Sequence, residues 1–379
     1  AALVGDARAK TVVVDDAFAA GTQRTDGDVR SANAAKADKE GHLEWQPEAL
    51  LDGRYALKEP LGDGSFGRVA LAHDAGENRW VAIKIIRDVK RYMENAKVEA
   101  NILRDILEAD SDRCSRCLTL FDTFVHVGRF FCLVCEPLGP SLYEILHRNG
   151  FLGFWLQDIQ RIARQSLAAL SFLHQRLQLT HTDLKPENIL LASREPCRPS
   201  FFPRSDMQQP SQSGGNYVRP ATADIKLIDF GNATYKDMHH ASLISTRHYR
   251  GPEVILQAGW DESADVWSLG CILMELYSGG VLFGGGGSLE QLALFEMTLG
   301  PLPAALLAAA SGKAKSRYLS RCDEPGAGED RWRLRWPEDA PSADAVLSVA
   351  CQWRLSDRVP PEHHDFLSLV ASLLRLDPK

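Results

Sequence analysis

The sequence predicts an α+β chain of two lobes: a small, mainly β N-terminal lobe and a larger, mainly helical C-terminal lobe. Three observations carry this. Between Tyr55 and Cys135 short apolar runs alternate with glycine turns, and one amphipathic helix interrupts them. After Gly139 the apolar period lengthens to that of helices. The 379 residues, 45% hydrophobic and 25% charged, are enough to bury a core for two lobes.

Residues 1–40 are rich in Ala, Asp, Arg and Gly, with few large apolar groups after Phe18, and read as a disordered tail. The domain then runs over 41–379, with its N-lobe over about 55–138 and its C-lobe over about 139–379. Strands are expected at Tyr55–Leu61, Arg68–Ala72 and Trp80–Ile86, then around Leu118–Val125 and Phe130–Cys135, which makes a five-stranded sheet. A helix over Met93–Leu107 would turn Val98, Ile102, Leu103, Ile106 and Leu107 inward. In the second lobe Ile159, Ile162, Ala163, Leu167, Leu170 and Leu173 keep a helical period. Ala264–Leu276 is apolar nearly all round, as a helix in the middle of a lobe must be. Between them, 192–223 holds five prolines among many Ser and Gln, and reads as an inserted loop or loose hairpin.

The net charge of −7 argues against a general nucleic-acid binder and suits a basic partner. No apolar run reaches the roughly 18 residues of a membrane span, and no secretory signal opens the chain, so it reads as soluble and intracellular. Cys114-x-x-Cys117 and Cys132-x-x-Cys135 have zinc-ribbon spacing. The second pair lies in a strand, where residues three apart point to opposite faces, so the two thiols do not share an ion.

Four motifs carry chemistry. Gly62-Asp63-Gly64-Ser65-Phe66-Gly67-Arg68-Val69 is a glycine-rich loop with a strand, not a helix, after it, so it joins two strands and closes over phosphates. Val81-Ala82-Ile83-Lys84 ends an apolar strand on one lysine, 17 residues after Gly67. Its cation suits the α- and β-phosphates of ATP if a carboxylate orients it, and Glu99 in the next helix is the candidate. His181-Thr182-Asp183-Leu184-Lys185-Pro186-Glu187-Asn188 follows the long helix, and Asp229-Phe230-Gly231 comes 41 residues after Asn188. Asp183 then orients a substrate hydroxyl, Lys185 neutralises the γ-phosphate, and Asn188 and Asp229 offer hard oxygens to Mg²⁺.

With these motifs in this order, the chain resembles the eukaryotic protein kinases from about Tyr55 to its end. Within them it is similar to the LAMMER group, the Cdc2-like (CLK) dual-specificity kinases. Gly41-His42-Leu43 leads into the first strand, and Thr182 stands where most kinases have Arg. Ser245-Thr246-Arg247-His248-Tyr249-Arg250 precedes Gly251-Pro252-Glu253, and Glu362-His363-His364 lies near the end. The group's signature octet appears in degenerate form as Glu290–Met297. Gly251 replaces an Ala, and Cys135 stands where relatives have a bulky Phe at the back of the nucleotide pocket.

The resemblance implies the bilobal kinase fold with ATP in the cleft. Leu61 and Val69 would cap the adenine and Leu190 would floor it, with Ala82 also in the site. Backbone groups of Glu136 and Leu138 would hydrogen-bond it, and Asp265 would brace the catalytic loop. It implies a monomeric serine/threonine kinase, with tyrosine autophosphorylation, acting on arginine- and serine-rich splicing factors. Its location would be the nucleus and also the cytoplasm, and neither nucleic acid nor membrane would be a direct partner. It also implies an arginine partner for Glu253 just past Lys379, so the C-terminal end reads as truncated. The rival readings are a DYRK-type kinase with other substrates and a pseudokinase that binds partners without chemistry.

Overall fold

The computed structural model describes residues 37–44, 46–201, 217–322 and 331–377. Of the tail expected over 1–40, residues 1–36 lie outside the described residues. Residues 37–40 instead belong to a small hairpin in which Asp38 N donates to His42 O at 2.8 Å. Asp38 can stop the chain here because its own carboxylate caps the turn, accepting from the amides of Glu40 and His42, both at 3.0 Å.

The first lobe is built on β1 (Leu50–Leu51), β2 (Tyr55–Gly64), β3 (Gly67–Asp74), β4 (Arg79–Ile86), β5 (Leu120–His126) and β6 (Phe130–Cys135). They form one antiparallel six-stranded sheet in the order β1-β2-β3-β4-β6-β5, not the five-stranded sheet expected. The extra strand is two residues long, too short for alternation to announce it. Period two sorts β4: Val81, Ile83 and Ile85 are buried on one face, while Ala82 and Lys84 look into the cleft from the other. Helix α1 (Lys90–Ala109) packs on the sheet through Ala96, Glu99, Ala100, Ile102, Leu103 and Ile106. Val98, expected on that stripe, is 52% exposed. The small Ala96 and Ala100 let the helix come close, and Val98 falls on the far side of the turn.

The second lobe begins with α2 (Leu142–Arg148), whose N-terminus is held by a reciprocal capping box of Ser141 and Glu144. Helix α3 (Leu156–Arg176) follows, and its stripe is buried as expected except for Leu167, which is half-buried. Short ladders then set the segments around Asp183 and Asp229, pairing β7 (Leu179–Thr180) with β12 (Thr234–Tyr235) and β8 (Ile189–Leu191) with β11 (Ile225–Leu227). The inserted segment is closed at its base by β9 (Arg198–Pro199) against β10 (Val218–Arg219), while 202–216 lie outside the described residues. Its return strand is pinned to the lobe. Asn149 donates to the Val218 carbonyl and accepts from its amide, both at 2.8 Å, and Arg219 clasps Asp158.

After α4 (Pro252–Ile255), α5 (Ser263–Ser278) runs through the middle of the lobe with nearly every side chain buried, between α3 and the last described helix. It ends at Gly279, φ +86°, where a Cβ would stand 1.7 Å from the Phe151 carbonyl oxygen, so glycine is required there. The remainder is α6 (Ser288–Leu299), α7 (Ala304–Ala309), α8 (Gly312–Tyr318), the β13 (Leu319–Arg321)–β14 (Trp332–Leu334) ladder, α9 (Ala343–Ala350) and α10 (His364–Leu373). No helix among the described residues is long and apolar enough to cross a membrane.

Candidate active site

Between the lobes lies a cavity of about 740 Å³ whose roof is the β2–β3 hairpin. That hairpin is the glycine-rich loop, and its glycines differ in purpose. A Cβ on Gly67 would sit 2.3 Å from the Ile85 carbonyl oxygen, so Gly67 is needed by the β3–β4 ladder. Gly62 has open space around it and Gly64 meets only the Gly67 carbonyl at 3.5 Å, which leaves their backbone free to approach a ligand.

Behind the hairpin, Lys84 Nζ donates to Glu99 Oε2 at 2.7 Å and lies 3.7 Å from Asp229 Oδ1. Burial works against the charge on Lys84, but the carboxylates of Glu99 and Asp229 outweigh it and hold the ammonium above the usual lysine range. Burial raises the Glu99 carboxyl against the pull of Lys84, with Asp229 adding to the rise. An ammonium between two carboxylates favours the ionised pair, so Lys84 is a fixed cation facing the cavity. Register sets the wall beside it, pairing Lys84 with Leu133 and Ala82 with Cys135 across the β4–β6 ladder. Burial pushes the Cys135 thiol far up, so it is a small neutral wall and no nucleophile.

The floor comes from the loop after β7. His181 Nε2 donates to the Ile228 carbonyl at 2.9 Å, while its Nδ1 accepts from Asp183 N at 3.3 Å; these partners assign the neutral tautomer. Asp265, in the first turn of α5, accepts from the amides of His181 and Thr182 at 2.8 and 2.9 Å, and from His174 Nε2 at 2.9 Å. It braces the loop from below. The N-cap of α5 is Glu262, so Asp265 is no helix cap.

Both oxygens of Asp183 are engaged: Lys185 Nζ donates to Oδ2 and Thr246 Oγ1 to Oδ1, each at 2.7 Å. Asn188 Nδ2 donates to the Asp183 carbonyl at 2.9 Å, which fixes the amide so that its oxygen remains as a donor atom for a cation. Thr182, at φ +68°, donates its hydroxyl to the Asn232 carbonyl at 2.8 Å and so ties the loop to the segment after Gly231.

The structure brings together on the cavity wall Leu61, Gly62, Asp63, Gly64, Phe66, Gly67, Val69, Ala82, Lys84 and Glu99, and with them Glu136, Leu138, Asn188, Leu190 and Asp229. Ser65 does not line it; its carbonyl instead accepts from Arg87 Nη1 at 3.0 Å. Asp183 and Lys185 stand just past the wall, joined to it through Asn188. The Glu136 side chain turns away, accepting from Thr119 N at 2.7 Å and from Lys226 Nζ, and its own amide donates to the Thr119 carbonyl at 3.1 Å.

Sequence reasoning had not assigned Leu103, Leu118, Leu133 and Ile228 to the back wall. Only Leu133 is placed by strand register; Leu103 comes from α1, and Leu118 and Ile228 from segments flanking strands, so packing between distant elements puts them there. It also had no role for Thr246, whose contact with Asp183 joins segments 63 residues apart.

The comparisons with known proteins agree with this geometry. The family described as "Protein kinase domain" matches residues 55–379. The human dual specificity protein kinase CLK1 is 39% identical over 355 residues, covering 92% of this chain and 68% of CLK1. Mouse dual specificity protein kinase CLK4 is 41% identical over 354 residues, covering 92% of this chain and 68% of its own. The serine/threonine-protein kinase AFC3 of Arabidopsis thaliana is 37% identical over 359 residues, covering 93% of this chain and 85% of its own. A solved crystal structure of a kinase domain is similar with a TM-score of 0.78 at 36% identity, covering 90% of this chain and 95% of that one.

Proposed function

The chain belongs to the protein kinase family, on the branch of the CLK and AFC kinases, and we propose that it phosphorylates arginine- and serine-rich proteins with ATP and magnesium. The observation that carries the chemistry is one cleft holding the Lys84–Glu99–Asp229 cluster beside Asn188, with Asp183 joined to it. Lys84 binds the α- and β-phosphates and Glu99 keeps it aimed. Asp183 orients the serine or threonine hydroxyl and takes its proton. The hydroxyl oxygen bonds to the γ-phosphorus as the bond to the β–γ bridging oxygen breaks, and ADP leaves. Lys185 neutralises the charge that builds on the transferred group. The Lys185 and Thr246 bonds already made to Asp183 hold its carboxylate in place before substrate arrives.

Asp229 and Asn188 fit magnesium. They are hard oxygen donors, and among the described residues no group of three or more His, Cys, Asp or Glu converges on a metal. That is the donor set of an ion which keeps its waters and shares itself with phosphates rather than sitting in a protein cage. When bound, it would neutralise charge on the phosphate oxygens.

Carboxylates beside the catalytic loop support a basic substrate. Glu187 is exposed at the cavity edge. Burial pushes the nearby Glu275 carboxyl up to about 7; a hydrogen bond from Tyr249 opposes this, and the charge of Glu187 adds to it. A substrate guanidinium at the exposed Glu187 would meet a carboxylate there. The net charge of −7 would speed its encounter. In the cell we assign the protein to the nucleus, as a monomer acting on splicing factors, with the domain starting near Gly41.

The test compares kcat/KM for an Arg-Ser repeat peptide and a proline-directed peptide at low and moderate salt. A preference for the first that fades with salt supports the reading. A win for the proline-directed peptide moves the chain to a DYRK-like specificity, and no phosphate transfer at all makes it a binding module.

A further inference from the structure

The glycine-rich hairpin is held from outside the nucleotide cavity. Two arginines rooted in the sheet reach over it to the hairpin of residues 37–43. Arg68, at the base of the β2–β3 turn, pairs with Asp63 at 3.1 Å, donates to the Leu43 carbonyl at 3.0 Å and meets Asp38 at 3.2 Å. Arg87, just after β4, does more. Its backbone amide donates to the Phe66 carbonyl at 3.1 Å and its Nη1 to the Ser65 carbonyl at 3.0 Å. Its Nε donates to the Glu40 carbonyl at 2.7 Å, and Nη2 reaches the same oxygen. One planar guanidinium therefore joins the tip of the loop to the turn of the outer hairpin.

That hairpin is itself anchored. His42 and Leu43 are buried, and the carbonyl of Gly41, at φ +87°, accepts from Asp88 N at 2.8 Å. Asp88 is in turn held by Arg129 at 2.6 Å. From the other side, the Phe66 ring rests edge-on against Tyr92 of α1, centroids 5.3 Å apart. Without these ties a tip of Gly62, Asp63, Gly64 and Ser65 would sample many backbone states and lose that freedom on closing over phosphates. With them, the Ser65 carbonyl is turned outward onto Arg87 and away from the cavity.

We propose that Arg87 is a positioning residue for the nucleotide's phosphates, and that residues 37–43 are thereby a working part of the ATP site. Arg87 does not line the cavity and acts only through Ser65 and Phe66. The planar fork is required, because a lysine ammonium has no rigid geometry with which to satisfy both carbonyls. The inference rests on the reading that Gly62–Gly67 closes over phosphates.

The test uses Arg87→Ala, Gly41→Val, which cannot keep its positive φ without strain, and the double variant. Each is titrated with magnesium-ATP and with adenosine, and kcat and KM for ATP are measured alongside the melting temperature. Losing a charge-assisted hydrogen bond should weaken ATP about tenfold in Arg87→Ala, leave adenosine within about twofold, and raise KM with kcat at saturation retained. Gly41→Val should shift ATP in the same direction, and the double variant should add little. Unchanged ATP affinity in Arg87→Ala, or equal loss of ATP and adenosine, overturns the clamp while the phosphate-loop reading stands. Wild-type protein binding ATP no better than adenosine removes the reading of the loop itself, and the clamp with it.

Discussion

Glu253, in the first turn of α4, is buried, and its Oε1 has no hydrogen-bond partner among the described residues. Gly251 makes the space it occupies, since a Cβ there would stand 2.4 Å from either carboxylate oxygen. Burial pushes Glu253 up from the usual 4.5 to about 7, slightly opposed by a backbone hydrogen bond and reinforced by the charge of Asp261. The folded state therefore binds the proton more tightly than the unfolded chain. Between about pH 4.5 and 7 the native protein carries more protons, so stability falls as pH rises and levels off above 7.

At roughly 1.4 kcal/mol per pH unit, that gap is a cost of about 3 kcal/mol at pH 8. Glu275, also raised to about 7 by burial, and Glu296 and Glu99, likewise raised by burial, lose stability in the same direction, so the wild-type slope is shared among them. The difference between wild type and Glu253→Gln isolates Glu253. Denaturant unfolding from pH 4 to 8.5 should find the two proteins equal near pH 4. The variant should be more stable by about 3 kcal/mol at pH 8, with a melting temperature several degrees higher. A difference that does not grow with pH refutes the reasoning and means that Glu253 has a cation beside it.

Asp183→Asn should lower turnover by about 10²–10³-fold while the protein stays folded, because the amide keeps one acceptor oxygen for Thr246 but turns an NH₂ donor towards the Lys185 ammonium and carries no charge. Lys84→Met should remove turnover as well and also lower the melting temperature near neutral pH, since it strands the buried Glu99; full stability would mean that the pair is not ionised. Phosphatase treatment should leave most activity in place. Where many kinases have a catalytic-loop arginine awaiting a phosphate, Thr182 is already bonded to Asn232, and loss of activity to background would contradict this. Cys135→Phe should weaken inhibitors with bulky groups aimed at Leu103 and Leu118 while sparing ATP, as read by competition binding; equal affinities would show that the back wall had closed up.

Much of this protein was legible without coordinates. The buried stripe of α3 and the motif residues Lys84, Asp183, Asn188 and Asp229 are written as local spacing, because helix and strand periods depend on neighbours in the chain. What the spacing could not contain was pairing between distant segments. The Leu50–Leu51 strand exists only because Tyr55 and Ala56 offer it a ladder, and Val98 faces water only because of how α1 rolls on its two alanines. The bonds Thr246–Asp183, Thr182–Asn232 and Arg87–Ser65 have separations of 63, 50 and 22 residues, and no periodicity reaches across such gaps. The sequence by itself determined which polar groups converge on the cleft. Tertiary structure decided what holds them still, because the holding contacts are side chains meeting backbone carbonyls and carboxylates from segments that folding alone brings side by side.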